Sequence, residues 1–291
     1  MLKQIYIYGN PTQNESLEHL ARFFCALADN AHHTKLLVEP EYFEFILTNL
    51  PEIAKRLTPI DNNEIEDQKS LALSIGGDGT FLTTANRIFP KQTPIMGINA
   101  GHLGYLAAAD IALAPEAASS IIAGDYRVEP RTMLEVKTNS EQLPSKPFAL
   151  NEVAILKQDT ASMINVMAEV NGHHLATYSG DGLIIATPTG STGYNLSVGG
   201  PIVAPHSADW VISPIAPHSL SMRPLVVNDS VTLRITATSR SGCMLLAIDG
   251  RSTPLPITTE LTISKASVKL NVALLNSNNF IDTLQQKLHW G

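Results

Sequence analysis

The sequence predicts an α/β domain followed by an all-β domain, and two observations lead to this fold class. In the first third of the 291-residue chain, short apolar segments alternate with segments of helical spacing. This is the pattern of a parallel sheet with helical crossovers. After about Tyr126, strand-like runs separated by turn residues replace the helices, as in a sandwich of layered sheets. We therefore expect a Rossmann-like N-terminal domain with a parallel sheet and a C-terminal β-sandwich-like domain.

The N-terminal domain is expected to alternate strands and helices. The strands are short apolar runs at residues 4–8, 35–38, 71–75 and 94–98. The helices are predicted at residues 16–28, 42–57 with an interruption at Pro51, 81–88, and 114–123 with a stop at Gly124. Because helices separate the strands, the strands should run parallel to one another.

The C-terminal domain is expected to be mostly β. Strand-like runs occur at residues 133–138, 149–156, 164–170, 174–178, 183–186, 230–238, 244–248 and 261–268, with turn residues between many of them. Residues 280–289 again have helical spacing, with an apolar stripe of Phe280, Ile281, Leu284 and Leu288. Burial of this stripe would return the tail to the first domain. The expected domains are therefore residues 1–128 with 273–291, and residues 129–272.

The composition favours a soluble, cytoplasmic protein. The formal charge of −7 argues against a general surface for nucleic acid or anionic membranes. Cys25 and Cys243 are the two cysteines, too few for a disulfide scaffold. No apolar run reaches the ~18 residues of a membrane span, and no signal-peptide-like segment precedes the first strand. We expect neither nucleic-acid nor membrane partners.

The most informative motif is Gly76-Gly77-Asp78-Gly79-Thr80, which stands between a buried strand and a helix. Such a turn exposes backbone N–H groups at a helix N-terminus, which suits phosphate. A carboxylate there repels phosphate unless it handles a metal, a hydroxyl or a proton. We prefer a nucleotide site in which Asp78 handles a hydroxyl. The alternative from these residues alone is a glycine-rich turn with a helix-capping aspartate.

Further candidate binding segments follow later strands. A cluster of Gly, Ser and Thr occupies residues 187–201, where hydroxyls and amides can coordinate phosphate or ribose oxygens. A turn-rich connection capped by its own side chains is the other interpretation. Asp181 is either an acceptor for a ribose hydroxyl or a turn residue. Asn151-Glu152 opens a strand and by itself indicates a solvated strand edge. Tyr105 lies in a glycine-spaced loop after the fourth strand, and it could cover a base or a nicotinamide ring.

Taken together, these motifs resemble those of the NAD kinase family. The resemblance rests on Gly-Gly-Asp-Gly-Thr at 76–80, Asn-x-Gly-x-Leu-Gly-Tyr-Leu at 99–106, Asn-Glu at 151–152, Asp-Gly-Leu-Ile-Ile-Ala-Thr-Pro-Thr-Gly-Ser-Thr-Gly-Tyr at 181–194 and Leu-Ser-Val-Gly-Gly-Pro at 196–201. Segments 220–226 and 248–251 extend it, so that it covers nearly the whole chain beyond residue 70. The first motif also occurs in diacylglycerol and sphingosine kinases, whereas the Thr-Pro-Thr-Gly-Ser-Thr block is much more specific.

The resemblance implies phosphorylation of the 2′-hydroxyl of the adenosine ribose of NAD, with ATP and a divalent cation such as Mg²⁺. Asp78 would accept the proton of that hydroxyl, and Gly79 would let the ligand approach. Asn151 and Glu152 would contact the adenosine half of NAD. The nicotinamide end would be bound by Asp181, from a neighbouring subunit. The remaining dinucleotide-binding residues would be Tyr105, Ser179, Thr189, Thr192, Gly193, Tyr194, Asn195, Leu196, Ser197 and Arg251.

Specificity and assembly are less determined by the sequence. Many members of the family carry Arg where this chain has Ser179, so that both NAD and NADH are expected as substrates. The metal ligands are not evident, and there is no Walker-type Gly-x-x-x-x-Gly-Lys-Ser/Thr. The resemblance implies a homo-oligomer, a tetramer or a dimer. The alternatives are a lipid kinase of the same superfamily, which lacks support from any basic amphipathic helix, and a non-catalytic dinucleotide-binding protein, which has no use for Asp78.

Overall fold

Two units make up the chain, and the first contains a mostly parallel sheet. The computed structural model describes residues 2–12, 17–60, 65, 69–100, 104–139, 142–159 and 162–288. The first unit comprises residues 1–130 with 270–291, and the second comprises residues 131–269. Residues 101–103 of the predicted glycine-spaced loop, and Ser16 and His289 at the ends of two predicted helices, lie outside the described residues.

The sheet of the first unit has the order β3-β2-β1-β4-β5-β20-β7, with β6 also paired to β5. Its central strands are buried along nearly their whole length, which is typical of parallel strands covered by helices. The strands are β1 (Gln4–Gly9), β2 (Lys35–Val38), β3 (Thr58–Pro59), β4 (Ser70–Ile75), β5 (Ile95–Asn99), β6 (Ala107–Asp110), β7 (Arg127–Arg131) and β20 (Leu270–Leu274).

Four helices of the first unit, at residues 17–30, 40–49, 51–54 and 114–123, pack their apolar residues into one core with this sheet. Leu20, Phe23, Phe24 and Leu27 of the first helix are fully buried, as their spacing predicts. The helices are α1 (Leu17–Asn30), α2 (Pro40–Asn49), α3 (Pro51–Ala54), α4 (Asp78–Ile88), α5 (Ala114–Ala123) and α7 (Phe280–Leu288).

The sequence predicted most of this unit correctly. The strands expected at 4–8, 35–38, 71–75 and 94–98 are confirmed as β1, β2, β4 and β5. The helix expected at 42–57 is two helices, because Pro51 has no N–H to continue α2 and instead begins α3. The strands β3, β6, β7 and β20 were not predicted. β3 has only two residues, β6 is nearly all alanine, and β7 alternates charged residues with Val128 and Pro130.

The tail returns to the first unit, but not chiefly through the predicted apolar stripe. The return is made by β20, which pairs parallel to β5 through Val272 and Ile95. In α7, Leu284 is buried, whereas Ile281 is 54% exposed. The tail is thus attached to the first unit mainly by the sheet hydrogen bonds of β20, whereas the sequence suggested attachment through the apolar stripe of α7.

Two six-stranded antiparallel sheets form the second unit, as the β-sandwich prediction requires. One has the order β15-β14-β13-β10-β17-β18, and the other has the order β12-β11-β16-β19-β8-β9. Residues of both sheets share one buried core around Trp210. The strands are β8 (Leu134–Thr138), β9 (Phe148–Ala149), β10 (Glu152–Lys157), β11 (Ile164–Val170), β12 (His173–Gly180), β13 (Gly182–Ala186), β14 (Asp209–Ile215), β15 (Leu225–Asn228), β16 (Leu233–Ser239), β17 (Cys243–Ile248), β18 (Arg251–Pro256) and β19 (Leu261–Lys265).

Prolines and one interrupted strand account for most of the differences from prediction in this unit, and the four-residue strand β15 was also missed. The strand expected at 149–156 is interrupted at Leu150 and Asn151, between β9 and β10. The strands β14 and β18 were missed because they contain proline. In β18 the prolines lie on an edge strand, and in β14 Pro214 lies beyond Ile212, the last residue paired with β15. A 3₁₀ turn (Thr189–Thr192) and α6 (Tyr194–Ser197) follow β13. Among the described residues, no helix is both long and apolar enough to cross a membrane.

Candidate functional site

Asp78 is the first residue of α4, and its carboxylate is held by the loop that follows β5. The backbone N–H of Tyr105 donates to Oδ2 at 2.9 Å, and that of Leu106 donates to Oδ1 at 3.1 Å. An ionised carboxylate has about four acceptor positions, so two of them stay open for other donors. The orientation of the carboxylate is therefore set by backbone groups while it can still accept a hydroxyl proton.

Gly104 makes this arrangement possible. A Cβ at this position would overlap Oδ1 and Cγ of Asp78 and would lie 2.9 Å from Oδ2. Only glycine leaves room for the carboxylate beside this backbone. The glycine-spaced loop recognised in the sequence therefore serves to hold Asp78.

A cavity of about 340 Å³ opens beside the N-terminal turns of α4. Gly79, Thr80 and Thr83 line it together with residues that follow β1, and a Cβ added to Gly79 would meet no atom within 4 Å. Arg87 also lines the cavity, paired with Glu39, and its guanidinium carbon lies 6.0 Å from the centre of the Tyr8 ring. Free backbone N–H groups, hydroxyls and a cation are groups that suit phosphate.

A second cluster of polar residues lies in the second unit, where β10 begins and β13 ends. Oδ1 of Asn151, Oε2 of Glu152 and Oγ1 of Thr189 are all buried without a hydrogen-bond partner among the described residues. Burying such atoms unpaired costs about 1–3 kcal/mol each, and native structures contain few of them. Three together indicate groups that a ligand pairs with.

Asp249 holds the irregular segment that carries Asn151 and Glu152. Its carboxylate accepts backbone hydrogen bonds from Leu150, Asn151 and Glu152 at 2.7, 2.8 and 3.1 Å. Burial raises the pKa of Asp249 to about 6, against the lowering effect of these three donors and of Arg251. The segment interrupts the strand because its N–H groups turn towards this carboxylate.

Glu152 has an unusual protonation equilibrium for a glutamate. Burial, and then the neighbouring Asp249, raise its pKa to about 7, while a hydrogen bond from the Tyr194 backbone lowers it. Gly193 packs against this side chain, since a Cβ there would lie 3.0 Å from Oε2. Glu152 can therefore donate one hydrogen bond when it is protonated below neutral pH, whereas above neutral pH it is ionised and only accepts.

The Thr-Pro-Thr-Gly-Ser-Thr block forms the wall behind Asn151. Thr187 donates its backbone N–H to the Asn151 carbonyl at 2.9 Å, and its hydroxyl accepts the Gly190 N–H at 3.1 Å. A Cβ on Gly190 would overlap the backbone of Asn151. The block is thus required for close backbone packing as well as for its hydroxyls.

The remaining predicted residues of this block differ in what they offer to a ligand. Asn195 is fully buried, and its side chain binds Ser191, Pro201 and Ser213 of the same chain. Thr192 donates to the Thr189 carbonyl. The side chains of Tyr194 and Ser197 are exposed, and that of Leu196 is partly buried.

Ser179 and Asp181 lie away from Asn151 and Glu152. Asp181 pairs with Lys157 at 2.6 Å, at the opposite end of β10 from Glu152, roughly 16 Å along the strand. Ser179 donates to Asn165 at 2.6 Å on the neighbouring strand. Arg251 donates to the carbonyls of Lys146 and Phe148 and so braces β9. Within one chain, the predicted residues of the second unit therefore form two groups at the two ends of β10.

Sequence reasoning did not single out Asp249 or Gly104. Both lie in segments that carried the resemblance, Ile248-Asp249-Gly250-Arg251 and the loop before Tyr105. The available signal for Asp249 was a carboxylate at a strand end followed by glycine. Its partners are about 100 positions earlier in the chain, so no local pattern could identify them.

Comparisons with known proteins agree along the whole chain. The family model described as ATP-NAD kinase N-terminal domain matches residues 5–126, and that described as ATP-NAD kinase C-terminal domain matches residues 150–275. NAD kinase of Bacteroides fragilis is 42% identical over 285 residues, which are 98% of this chain and 97% of the relative.

Two solved structures have the same fold. Yeast NADH kinase complexed with NADH superposes with a TM-score of 0.88 at 23% identity, over 100% of this chain and 88% of that one. The NAD kinase from Archaeoglobus fulgidus in complex with ATP has a TM-score of 0.74 at 25% identity, over 98% of both chains. The fold and the two polar clusters define a nucleotide-binding protein of the kinase type. The chain belongs to the NAD kinase family, which confirms the resemblance and the enzyme class expected from it.

Proposed function

We propose that this chain transfers the γ-phosphate of ATP to the 2′-hydroxyl of the adenosine ribose of NAD, giving NADP. The observation that carries the proposal is the Asp78 carboxylate, oriented by two backbone N–H groups beside an open cavity at the N-terminus of α4. A carboxylate held in this way is suited to accept the proton of a hydroxyl group. Family membership identifies the class of acceptor.

The proposed reaction needs positioning and proton removal more than covalent chemistry. Asp78 accepts the proton of the 2′-hydroxyl as that oxygen attacks the γ-phosphorus and the bond to the leaving ADP oxygen breaks. A general base contributes typically 10²–10⁴-fold to the rate. The N–H groups of Tyr105 and Leu106 keep the carboxylate in one orientation, so that this proton transfer needs no rearrangement of Asp78.

The cavity beside α4 supplies groups for the donor phosphates. The hydroxyls of Thr80 and Thr83 line it together with the Arg87 guanidinium, and Gly79 leaves its backbone open to a ligand. Among the described residues there is no group of three or more side chains suited to a metal ion. We propose that Mg²⁺ enters with the ATP substrate, held mainly by phosphate oxygens and water as is usual for this ion.

The cluster around Asn151 supplies the partners for the adenosine half of NAD. The unpaired oxygens of Asn151, Glu152 and Thr189 can accept hydrogen bonds from ribose hydroxyls or an exocyclic amine. Tyr194 is exposed beside Glu152 and offers an aromatic face for a base. Thr192, Gly193, Leu196 and Ser197 complete the proposed surface.

The separation of the residues on β10 favours an oligomer with shared sites. Asp181 pairs with Lys157, which lies roughly 16 Å along β10 from Glu152, so we propose that Asp181, together with Ser179, acts on the nicotinamide end of NAD bound by a neighbouring subunit. The assembly would then be a homodimer or homotetramer. Acceptance of NADH beside NAD, through the neutral Ser179, and a cytoplasmic location both stay predictions.

The test is an assay of purified protein with ATP, Mg²⁺ and NAD, with NADP measured by an NADP-specific dehydrogenase. We expect NADP formation, and we expect Asp78→Asn to lower kcat by at least ~100-fold because it removes the base. Calorimetric titration with NAD is the matched control, since Asp78→Asn should still bind NAD. Near-normal turnover in Asp78→Asn contradicts the assignment of the base, and the absence of any NADP contradicts the proposed reaction.

A further inference from the structure

A lysine of the C-terminal helix lies over the ring of Tyr105, the residue whose backbone N–H binds the proposed base. Lys287 is in the last turn of α7, and its Nζ is buried without a hydrogen-bond partner among the described residues. The same atom lies 4.8 Å from the centre of the Tyr105 ring, within the range of a cation–π contact. An ammonium has three donors, and burying them unpaired is unfavourable. Such a group is retained at a cost, which indicates a role beyond packing.

Tyr105 connects this ammonium to Asp78. Its backbone N–H donates to Oδ2 of Asp78 at 2.9 Å, while its ring faces Lys287. The negative charge of Asp78 favours the protonated form of Lys287 and thereby raises its pKa. Tyr105 therefore contacts both groups, the carboxylate through its backbone N–H and the ammonium through its ring.

In the proposed reaction, a positive charge close to Asp78 would help the donor phosphates to bind. A carboxylate beside polyphosphate repels it, and the chain as a whole carries a formal charge of −7. A cation next to Asp78 offsets that repulsion without occupying the acceptor positions that the hydroxyl proton needs. We propose that Lys287 is a positioning residue of the phosphoryl-transfer site, whose ammonium, held by the Tyr105 ring, balances Asp78 so that the donor phosphates can approach. This inference rests on the proposed function.

The charge of Lys287 changes at mildly alkaline pH. Burial lowers its pKa to about 8, although Asp78 acts in the opposite direction. Among the described residues, the other titratable group that faces it is the Tyr105 phenol, whose pKa is raised above its usual value by burial and by Asp78, so that it stays neutral near pH 8. On α7 itself, Asp282 lies in the first turn, more than one turn from Lys287. Above pH 8 the ammonium loses its proton, and the balance of charge beside Asp78 is lost.

Three variants test the effect on catalysis. Reactions at pH 6.5–9.5 would be stopped and their NADP measured at one fixed pH. In the wild type, kcat/KM for ATP should fall as the pH rises through about 8. Lys287→Met should have kcat/KM for ATP lower by about tenfold or more at pH 7, since a partly buried charge acts strongly, and it should lack the step near pH 8. Lys287→Arg keeps its charge at high pH, so it should retain activity and also lack the step.

The matched control is Lys55→Met, which removes the same charge from an exposed pair with Glu52 and should behave as the wild type. Thermal unfolding shows whether Lys287→Met is folded. If Lys287→Met is not folded, the pH profile of Lys287→Arg alone decides the test. An unchanged step near pH 8 in Lys287→Met or Lys287→Arg overturns the proposal.

A second measurement does not depend on the reaction. The pKa of Lys287 can be followed by NMR of its side-chain nitrogen, assigned by its loss in Lys287→Arg. We expect a value of about 8 in the wild type and a lower one in Asp78→Asn, because the charge that favours the ammonium has been removed. An equal pKa in the two proteins refutes the coupling, whether or not NADP is formed. A lower pKa in a protein that forms no NADP would support the pairing while contradicting the proposed reaction.

Discussion

Replacing Gly104 with alanine should displace the Asp78 carboxylate and so lower kcat, although the carboxylate itself is retained. The added Cβ overlaps Oδ1 and Cγ of Asp78, so the carboxylate must retreat by about 1 Å, and a displacement of that size can cost 10²-fold in rate. The two backbone hydrogen bonds from Tyr105 and Leu106 would be weakened in the same movement. Bonds of this kind to a charged group are worth about 1.5–3 kcal/mol each. We therefore expect kcat to fall by about 100-fold.

The assay compares kcat, KM and NAD affinity of Gly104→Ala with those of Gly79→Ala. At Gly79 the same methyl group meets no protein atom within 4 Å, and alanine favours the helix. Gly79→Ala should therefore keep its kcat and raise mainly KM for ATP, since the methyl group occupies space intended for the ligand. Thermal unfolding midpoints control for loss of structure. Wild-type kcat in a folded Gly104→Ala protein would refute the reasoning that this loop positions the base.

Three further predictions concern the second unit. Asn151→Ala should weaken NAD binding by about 1–3 kcal/mol. An unchanged dissociation constant in calorimetry would instead favour the interpretation of Asn151 as a solvated strand-edge residue. Asp249→Asn should destabilise the fold by at least ~2 kcal/mol in urea unfolding, because three N–H groups lose a charged acceptor. Glu152 binds its proton more tightly when folded, with a pKa of about 7 against 4.5, so stability should fall as pH rises from 4.5 to 7. In Glu152→Gln the loss in the free energy of unfolding between pH 4.5 and 7 should be smaller by about 2 kcal/mol. An equal loss in the variant and the wild type would contradict the raised pKa.

The succession of strands and helices could be predicted because it is a local property of the sequence. The buried runs that became β1, β4 and β5 are continuous apolar segments bounded by helical spacing, and no distant residue is needed to recognise them. Strands that break the local rules were missed. β6 is mostly alanine, β18 contains two prolines, and β20 pairs with β5, which lies far from it in the chain.

The candidate site divides in the same way. Asp78 and Gly79 could be recognised because the turn between a strand and a helix is encoded in five consecutive residues. Asn151-Glu152 by itself indicated a solvated strand edge, and the structure instead has buried, unpaired oxygens at this point. The difference arises from Asp249, whose carboxylate draws three N–H groups out of the strand direction.

By itself, the sequence determined the fold class, the family and the position of the proposed base, Asp78. These are properties of periodicity and of short motifs, which depend on residues close together in the chain. Only the tertiary structure decided what surrounds each carboxylate. Gly104 beside Asp78, Asp249 behind Glu152 and Lys287 over Tyr105 are contacts between residues 26 to 182 positions apart. Charge balance and hydrogen-bond pairing depend on distance in space, and distance in space is set only when the sheets and their connecting loops have packed.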